Sequence, residues 1–143
     1  MVKLPGIYRI MDANLNRCRE GLRVIEDIFR FYFKDDMLRR RLRTIRHTLD
    51  TLNESALTAK FLAARDSVKD QGRHTDCFEM GRKDIGDIFY ANMQRAKESL
   101  RVLEEFLKIE DRARVTAIKK ARYGLYTIEK KAFLRWPALR DFR

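Results

Sequence analysis

Little in this chain can staple, kink or turn it. Of 143 residues, only two are cysteines (Cys18, Cys77) and two are prolines (Pro5, Pro137), while glycine occurs six times. Two cysteines cannot build a disulfide framework, and neither has partners at the spacing of a zinc site. A sandwich of many short strands would lack its turn residues, so the composition favours helices. No apolar run approaches the roughly 18 residues that cross a bilayer. The stretch from Met1 to Gly6 carries no apolar signal region, so the cytoplasm is the expected compartment. Also missing are a Gly-x-x-x-x-Gly-Lys-Ser/Thr loop, a Gly-x-Gly-x-x-Gly turn and the protein-kinase signatures. Neither histidine, His47 or His74, lies in a metal motif.

What is there suffices for one globular domain spanning residues 1–143, with 45% apolar and 37% charged residues. The charge is lopsided. Thirty-two Lys and Arg against 21 Asp and Glu give +11, which attracts anions, whether nucleic acid, acidic lipid or small phosphates.

The most informative feature is an internal repeat. Residues 13–26 and 91–104 share Ala, Asn, Arg, Glu, Leu, Arg, Val and Glu at matching positions, here Ala13/Ala91, Asn14/Asn92, Arg17/Arg95, Glu20/Glu98, Leu22/Leu100, Arg23/Arg101, Val24/Val102 and Glu26/Glu104. A weaker echo sets Arg46 and Leu49 against Arg122 and Leu125. Apolar residues recur at helical spacing, as in Leu38, Leu42, Ile45, Leu49 and Leu52. The pattern predicts an all-α bundle made from a duplicated helical hairpin, with helices over 13–33, 36–54, 86–109 and 112–134. Repeat one covers about 12–54 and repeat two about 86–134. Asp12 or Asn14 is the expected first N-cap. Residues 63–82 form a long polar connection, either a functional loop or a disordered linker.

On a helical wheel, Arg19, Arg23, Glu26 and Arg30 form a solvent face of the first helix. Asn14, Arg17 and Gly21 fall inside a wide apolar arc, with Glu20 at its edge, and Asn92, Arg95, Ser99 and Glu98 repeat the arrangement. Arg122 and Glu129 sit in the apolar stripe of the last helix. A guanidinium inside a bundle needs a carboxylate or a bound anion. The pairs Arg17–Glu20 and Arg95–Glu98 would fix register; an arginine-lined pocket near the bundle axis would bind phosphate instead. Both readings stand on the residues alone. The wide arc also points to a homodimer. In the loop, Arg65 could meet a phosphate, and Asp66 and Asp70 are carboxylates of the kind that hold Mg²⁺. The cluster Arg39, Arg40, Arg41, Arg43 and Arg46 is interrupted at core spacing, and reads better as a solvated basic helix than as a nucleic-acid patch.

Four segments, taken together, carry a resemblance. They are Tyr8 to Arg17, Glu20-Gly21-Leu22-Arg23-Val24-Ile25-Glu26, Ala63-Ala64-Arg65-Asp66 with Asp70 and Gly72, and Ala91-Asn92 through Arg101-Val102-Leu103-Glu104-Glu105. The chain resembles the small helical hydroxymethylpyrimidine-phosphate kinase family, a domain that occurs alone or fused to the N-terminus of thiamine-phosphate synthase. The family pattern Asp-Val-Gly reads Asp70-Gln71-Gly72 here. The resemblance implies ATP-dependent phosphorylation of 4-amino-5-hydroxymethyl-2-methylpyrimidine phosphate to the diphosphate, with selectivity for the monophosphate over the free alcohol, and a functional link to thiamine-phosphate synthase.

Phosphoryl transfer needs placement and charge compensation more than covalent chemistry. On that chemistry, Arg17, Arg95 and Arg122 would hold phosphates, and Asn14 and Asn92 would bond phosphate or the pyrimidine edge. Glu20 and Glu98 would orient the arginines, Asp66 and Asp70 would hold Mg²⁺, and Arg65 with Asp66 would act at the moving phosphoryl group. The alternative is a non-catalytic helical adaptor or a basic nucleic-acid-binding module. Membrane association lacks the aromatic apolar face it would need.

Overall fold

The computed structural model describes residues 4–53, 57–73 and 81–142; His74 and Cys77 lie outside them. Helix α1 (Leu4–Asp27) starts well before Asp12. Asp12 and Asn14 are therefore interior residues, not caps, and Asn14 Nδ2 donates back to the Ile10 carbonyl at 2.8 Å. A π-helical turn at Ile28–Tyr32 ends α1, closed by the Phe33 N–H on the Ile28 carbonyl at 2.9 Å. Lys34 then takes φ 55°, the left-handed residue at which the chain reverses. Buried Asp35 caps α2 (Asp36–Asn53), its Oδ1 accepting from the Leu38 N–H at 3.0 Å. Helix α3 (Leu57–Ala64) lies mostly ahead of the connection expected over 63–82, in a stretch for which the sequence pattern predicts no element. Asp84 caps α4 (Ile85–Glu110) by accepting from the Asp87 N–H at 2.9 Å. Asp87 in turn accepts from the Lys83 N–H at 2.9 Å, a reciprocal lock on that helix start. A short turn at Arg112–Arg114 leads into α5 (Val115–Arg135). No helix of the described residues is long and apolar enough to cross a membrane.

The expected duplicated hairpin is present. Each hairpin is antiparallel and is tied by the same ion pair in its own copy. Arg46 Nε donates to Glu26 Oε2 at 2.9 Å between α2 and α1, and Arg122 Nε donates to Glu104 Oε2 at 3.0 Å between α5 and α4. The weak echo of Arg46 in Arg122 was thus structural, and Glu26 is buried, contrary to its expected place on a solvent face. Glu129 is likewise taken up, by Lys97 Nζ at 2.8 Å. The two hairpins close into a ring in which α1 packs on α4 and α2 packs on α5, with α3 added against α1. Leu15, Leu22 and Ile25 of α1, Phe29 of the π-helical turn, and Met93, Leu100, Leu103 and Leu107 of α4 are buried in the core. Burying each such side chain is worth about 1.5–3 kcal/mol. The apolar residues of the first helix's wide arc pack within this bundle.

The α1–α4 contact is unusually close because small residues line it. Cys18 Sγ lies 3.7 Å from the Ala96 carbonyl oxygen, and these two positions are repeat equivalents. They mark a pseudo-twofold axis relating the halves. Three residues on, Gly21 faces Asn92, and a Cβ built on Gly21 would stand 2.9 Å from the Asn92 carbonyl oxygen. Burial pushes the Cys18 thiol up to about 12, so it stays protonated and acts as a small apolar side chain. Gly21 is helical with negative φ. Propensity alone would make Gly21→Ala stabilising by about 1 kcal/mol. The backbone contact predicts the opposite, a loss of about 1–3 kcal/mol in urea unfolding; a gain would show that α4 does not approach so closely.

Candidate functional site

Successive helical residues turn by about 100°. Asp12, Arg19 and Glu26 on α1 face α2 and the segment after α3, whereas Arg9, Ala13 and Arg17 fall on another side of the helix, with Arg17 at the seam with α4 and Arg9 toward Asp70. Two adjoining hollows open there. One, of about 410 Å³, is lined by Asn14, Arg17, Ala91, Gln94, Arg95, Glu98, Ser99 and Val102. The other, of about 380 Å³, is lined by Gly6, Arg9, Ile10, Ala13, Asn14, Arg17 and Asp70. Asn14 and Arg17 line both, so the hollows form one groove. Arg17 and Arg95 are neighbours of the axial residues Cys18 and Ala96, which puts both guanidinium groups in the same hollow.

Neither Arg17 nor Arg95 is buried near the bundle axis, as the wheel suggested; both are exposed. The reason is geometric. The small residues Cys18, Gly21, Ala96 and Ser99 bring the two helices too close to enclose a guanidinium, so the arginines lie over the seam. Among the described residues, Arg9, Arg17 and Arg95 form no ion pair with any carboxylate. The register pairs expected with Glu20 and Glu98 are not made. Glu98 does share the hollow with Arg95, but Glu20 lines neither hollow. Three unpaired cations beside two carboxylates, Asp70 and Glu98, leave the groove suited to anions.

The remaining sequence candidates are distributed differently. Asn14 keeps its place, while Asn92 donates its Nδ2 to the Ile88 carbonyl at 2.8 Å and lies buried beside Gly21, outside both hollows. Arg65 is committed to buried Asp12 through two bonds, Nε to Oδ2 at 2.8 Å and Nη2 to Oδ1 at 2.7 Å. It fastens the following segment onto α1 and lines neither hollow. Asp66 Oδ1 accepts from the Lys69 N–H at 3.1 Å, and Asp70 Oδ1 accepts from the Gly72 N–H at 2.8 Å. Only Asp70 reaches the groove. The described residues contain no cluster of three or more carboxylate, His or Cys groups able to hold a metal by themselves.

Arg122 is held elsewhere. Its side chain is 11% exposed and that of Glu104 4% exposed, and Arg122 Nη1 also donates to the Tyr126 hydroxyl at 3.0 Å. These bonds, Glu104 first, raise the guanidinium pKa above its usual value. Arg9 and Gln94 were missed in the sequence. Arg9 would have been found by continuing the first helix back to Leu4, since 9, 13 and 17 share a face.

A wider groove of about 620 Å³ runs between α2 and α5, with Arg41 and Lys120 on its rim and Thr44, Thr48, Ala117, Ala121 and Gly124 along it. It holds none of the residues preserved between residues 13–26 and 91–104, whereas the α1–α4 groove holds both copies of the repeated arginine.

The profile of the ThiD2 family matches residues 9–131. A thiamine-phosphate synthase of Synechocystis is 40% identical over 125 residues, covering 87% of this chain and 35% of its own length. Thiamine-phosphate synthases of Nostoc punctiforme (40% identical, covering 86% of this chain and 34% of the relative) and Rhodopirellula baltica (33% identical, 93% and 36%) are similar. The chain thus spans about a third of the length of these curated relatives. No solved structure matches.

The two classes of arginine should separate on unfolding. Arg122→Ala leaves the buried Glu104 carboxylate only the longer bond from exposed Arg101, Nη1 to Oε1 at 3.3 Å, and is expected to cost about 3 kcal/mol in urea denaturation, with strong coupling to Glu104→Ala. Arg17→Ala and Arg95→Ala should shift stability by about 0.5 kcal/mol or less. Equal losses for all three would mean that the groove arginines are structural after all.

Proposed function

Because this chain belongs to the ThiD2 family, we propose that it transfers the γ-phosphoryl group of ATP to 4-amino-5-hydroxymethyl-2-methylpyrimidine phosphate. The product, a pyrimidine diphosphate, is the kind of substrate a thiamine-phosphate synthase consumes. The names of the relatives support a role in thiamine biosynthesis and a functional link to that synthase. The observation that carries the reading is the shared hollow of Arg17 and Arg95, two unpaired, repeat-equivalent guanidinium groups.

The acceptor is a phosphate oxygen, already ionised at neutral pH, so no strong base is needed. Its lone pair attacks the γ-phosphorus, the bond to the β–γ bridging oxygen breaks, and ADP leaves with that electron pair. No proton changes hands. The difficulty is repulsion between two anions, and cations placed beforehand reduce it. Arg17 and Arg95 supply that charge, and their planar forks suit phosphate oxygens. Asn14 offers a neutral amide beside them for an exocyclic amino group or a ring nitrogen.

Mg²⁺ bound with ATP would neutralise the β- and γ-oxygens. It commonly takes only one or two protein carboxylates and keeps its phosphates and waters. Asp70 fits that demand from the groove rim, with Glu98 on the far side, whereas Asp66, outside the groove, does not. Arg65 serves this reading as the tie that keeps Asp70 in place.

Selectivity for the monophosphate follows from the same cations. The free alcohol would forgo the charge-assisted hydrogen bonds to these guanidinium groups, about 1.5–3 kcal/mol, or roughly tenfold to a hundredfold in kcat/KM. A coupled ADP-release assay with the monophosphate beside the alcohol tests this. Turnover that prefers the monophosphate is expected. No turnover with either, together with steeply salt-dependent binding to unrelated DNA, would favour a basic binding module instead.

A further inference from the structure

Resting on the kinase reading, we infer that the two hollows divide the substrates between them and that Arg17, common to both, is the catalytic residue over which the phosphoryl group passes. Three observations point this way. First, Asn14 and Arg17 line both cavities, whereas every other lining residue belongs to one. A group transferred between ligands in the two hollows must cross at these two residues, and only Arg17 carries charge. Second, each hollow keeps a cation of its own, Arg9 on one side and Arg95 on the other. Third, none of the three arginines is tied to a carboxylate among the described residues, so all are available to ligands.

The linings also differ in character, and that assigns the occupants. The hollow with Arg95 sits between two helices and combines Gln94 with apolar Ala91 and Val102. A small heteroaromatic ring with one phosphate matches it: the ring lies on the apolar wall, the amide groups reach its edge, and Arg95 takes the phosphate. The hollow with Arg9 lies toward the start of α1 beside the segment that Arg65 fastens, and Asp70 is its carboxylate. The triphosphate lies along Arg9 and Arg17, beside Asp70. Arg17 is then the one group close to both the terminal phosphoryl and the acceptor oxygen. It compensates the charge that spreads over the equatorial oxygens during transfer, as a preorganised donor does.

Gly21, where the other half has Ser99, lets α4 approach α1 closely. The groove draws its arginines from both copies of the repeat.

Calorimetric titration of ATP with Mg²⁺ and, separately, of the pyrimidine monophosphate decides the matter, alongside steady-state kinetics. Arg9→Ala should weaken ATP about tenfold or more and leave the monophosphate nearly unchanged; Arg95→Ala should do the reverse. Arg17→Ala should lower kcat about a hundredfold with a smaller effect on either dissociation constant, and Arg17→Lys should restore only part of it. If Arg9→Ala and Arg95→Ala weaken the same ligand, or Arg17→Ala changes binding without changing kcat, the division is overturned while the kinase reading stands. If the wild-type protein binds neither compound and releases no ADP, both fall together.

Discussion

The close passage of α1 over α4 at Cys18, Gly21 and Ala96 is the constraint on which the rest depends. A carbonyl oxygen that a Cβ on Gly21 would meet at 2.9 Å leaves no tolerance for a larger side chain. Two consequences follow from packing density. The halves meet along a pseudo-twofold axis, so repeated residues converge from opposite directions. Long polar side chains next to the axis, Arg17 and Arg95, find no room between the helices and lie over the seam. Had the helices stood further apart, these arginines would need buried carboxylates. Their exposure is a product of the same small residues that hold the bundle together.

That geometry sorts the charge of this basic protein into different kinds. Arg46 and Arg122 are desolvated against Glu26 and Glu104, once in each hairpin. Such buried pairs weigh little as net stabilisation but penalise any arrangement that separates them, which fixes how each hairpin closes. Arg65 against Asp12 is a third tie, partly exposed, fastening the segment that brings Asp70 to the groove. Arg9, Arg17 and Arg95 belong to neither group. Their Coulomb field is not spent within the fold, and in an open groove it acts on whatever anion arrives. Arg41, Arg43 and Lys120, exposed on the far side, contribute to the long-range field without marking a site.

The sequence made the architecture legible because duplication and helical periodicity are both patterns in one dimension. The hairpins and the pairing of the two repeated helices followed from it; the central position expected for the repeated arginines did not, since both are exposed. Nor did the start of α1, since Asp12 and Asn14 have the chemistry of an N-cap, whereas the helix begins at Leu4 with Pro5 tolerated in a first turn where no amide bond is lost. That error hid Arg9. Helix α3 is apolar but only eight residues long, too short to show a helical period. The site was half legible. Arg17, Arg95, Asn14, Asp70 and Glu98 line the groove, but a wheel does not show which arginine has a carboxylate across the chain. Asp12 lies 53 positions from Arg65 and Glu104 lies 18 from Arg122. Those pairings are tertiary, and no local pattern announces them.

The central claim is that the unpaired arginines of the α1–α4 groove, and not the basic surface as a whole, receive phosphates. Side-chain ¹⁵N NMR of the arginine Nε groups, followed while the pyrimidine monophosphate and then Mg²⁺–ATP are added, measures this directly. The structure predicts saturable shifts at Arg17 with both ligands and at Arg9 or Arg95 with one, and quiet signals from Arg46 and Arg122. Shifts confined to Arg41 and Arg43, or spread evenly over the exposed arginines, would contradict it.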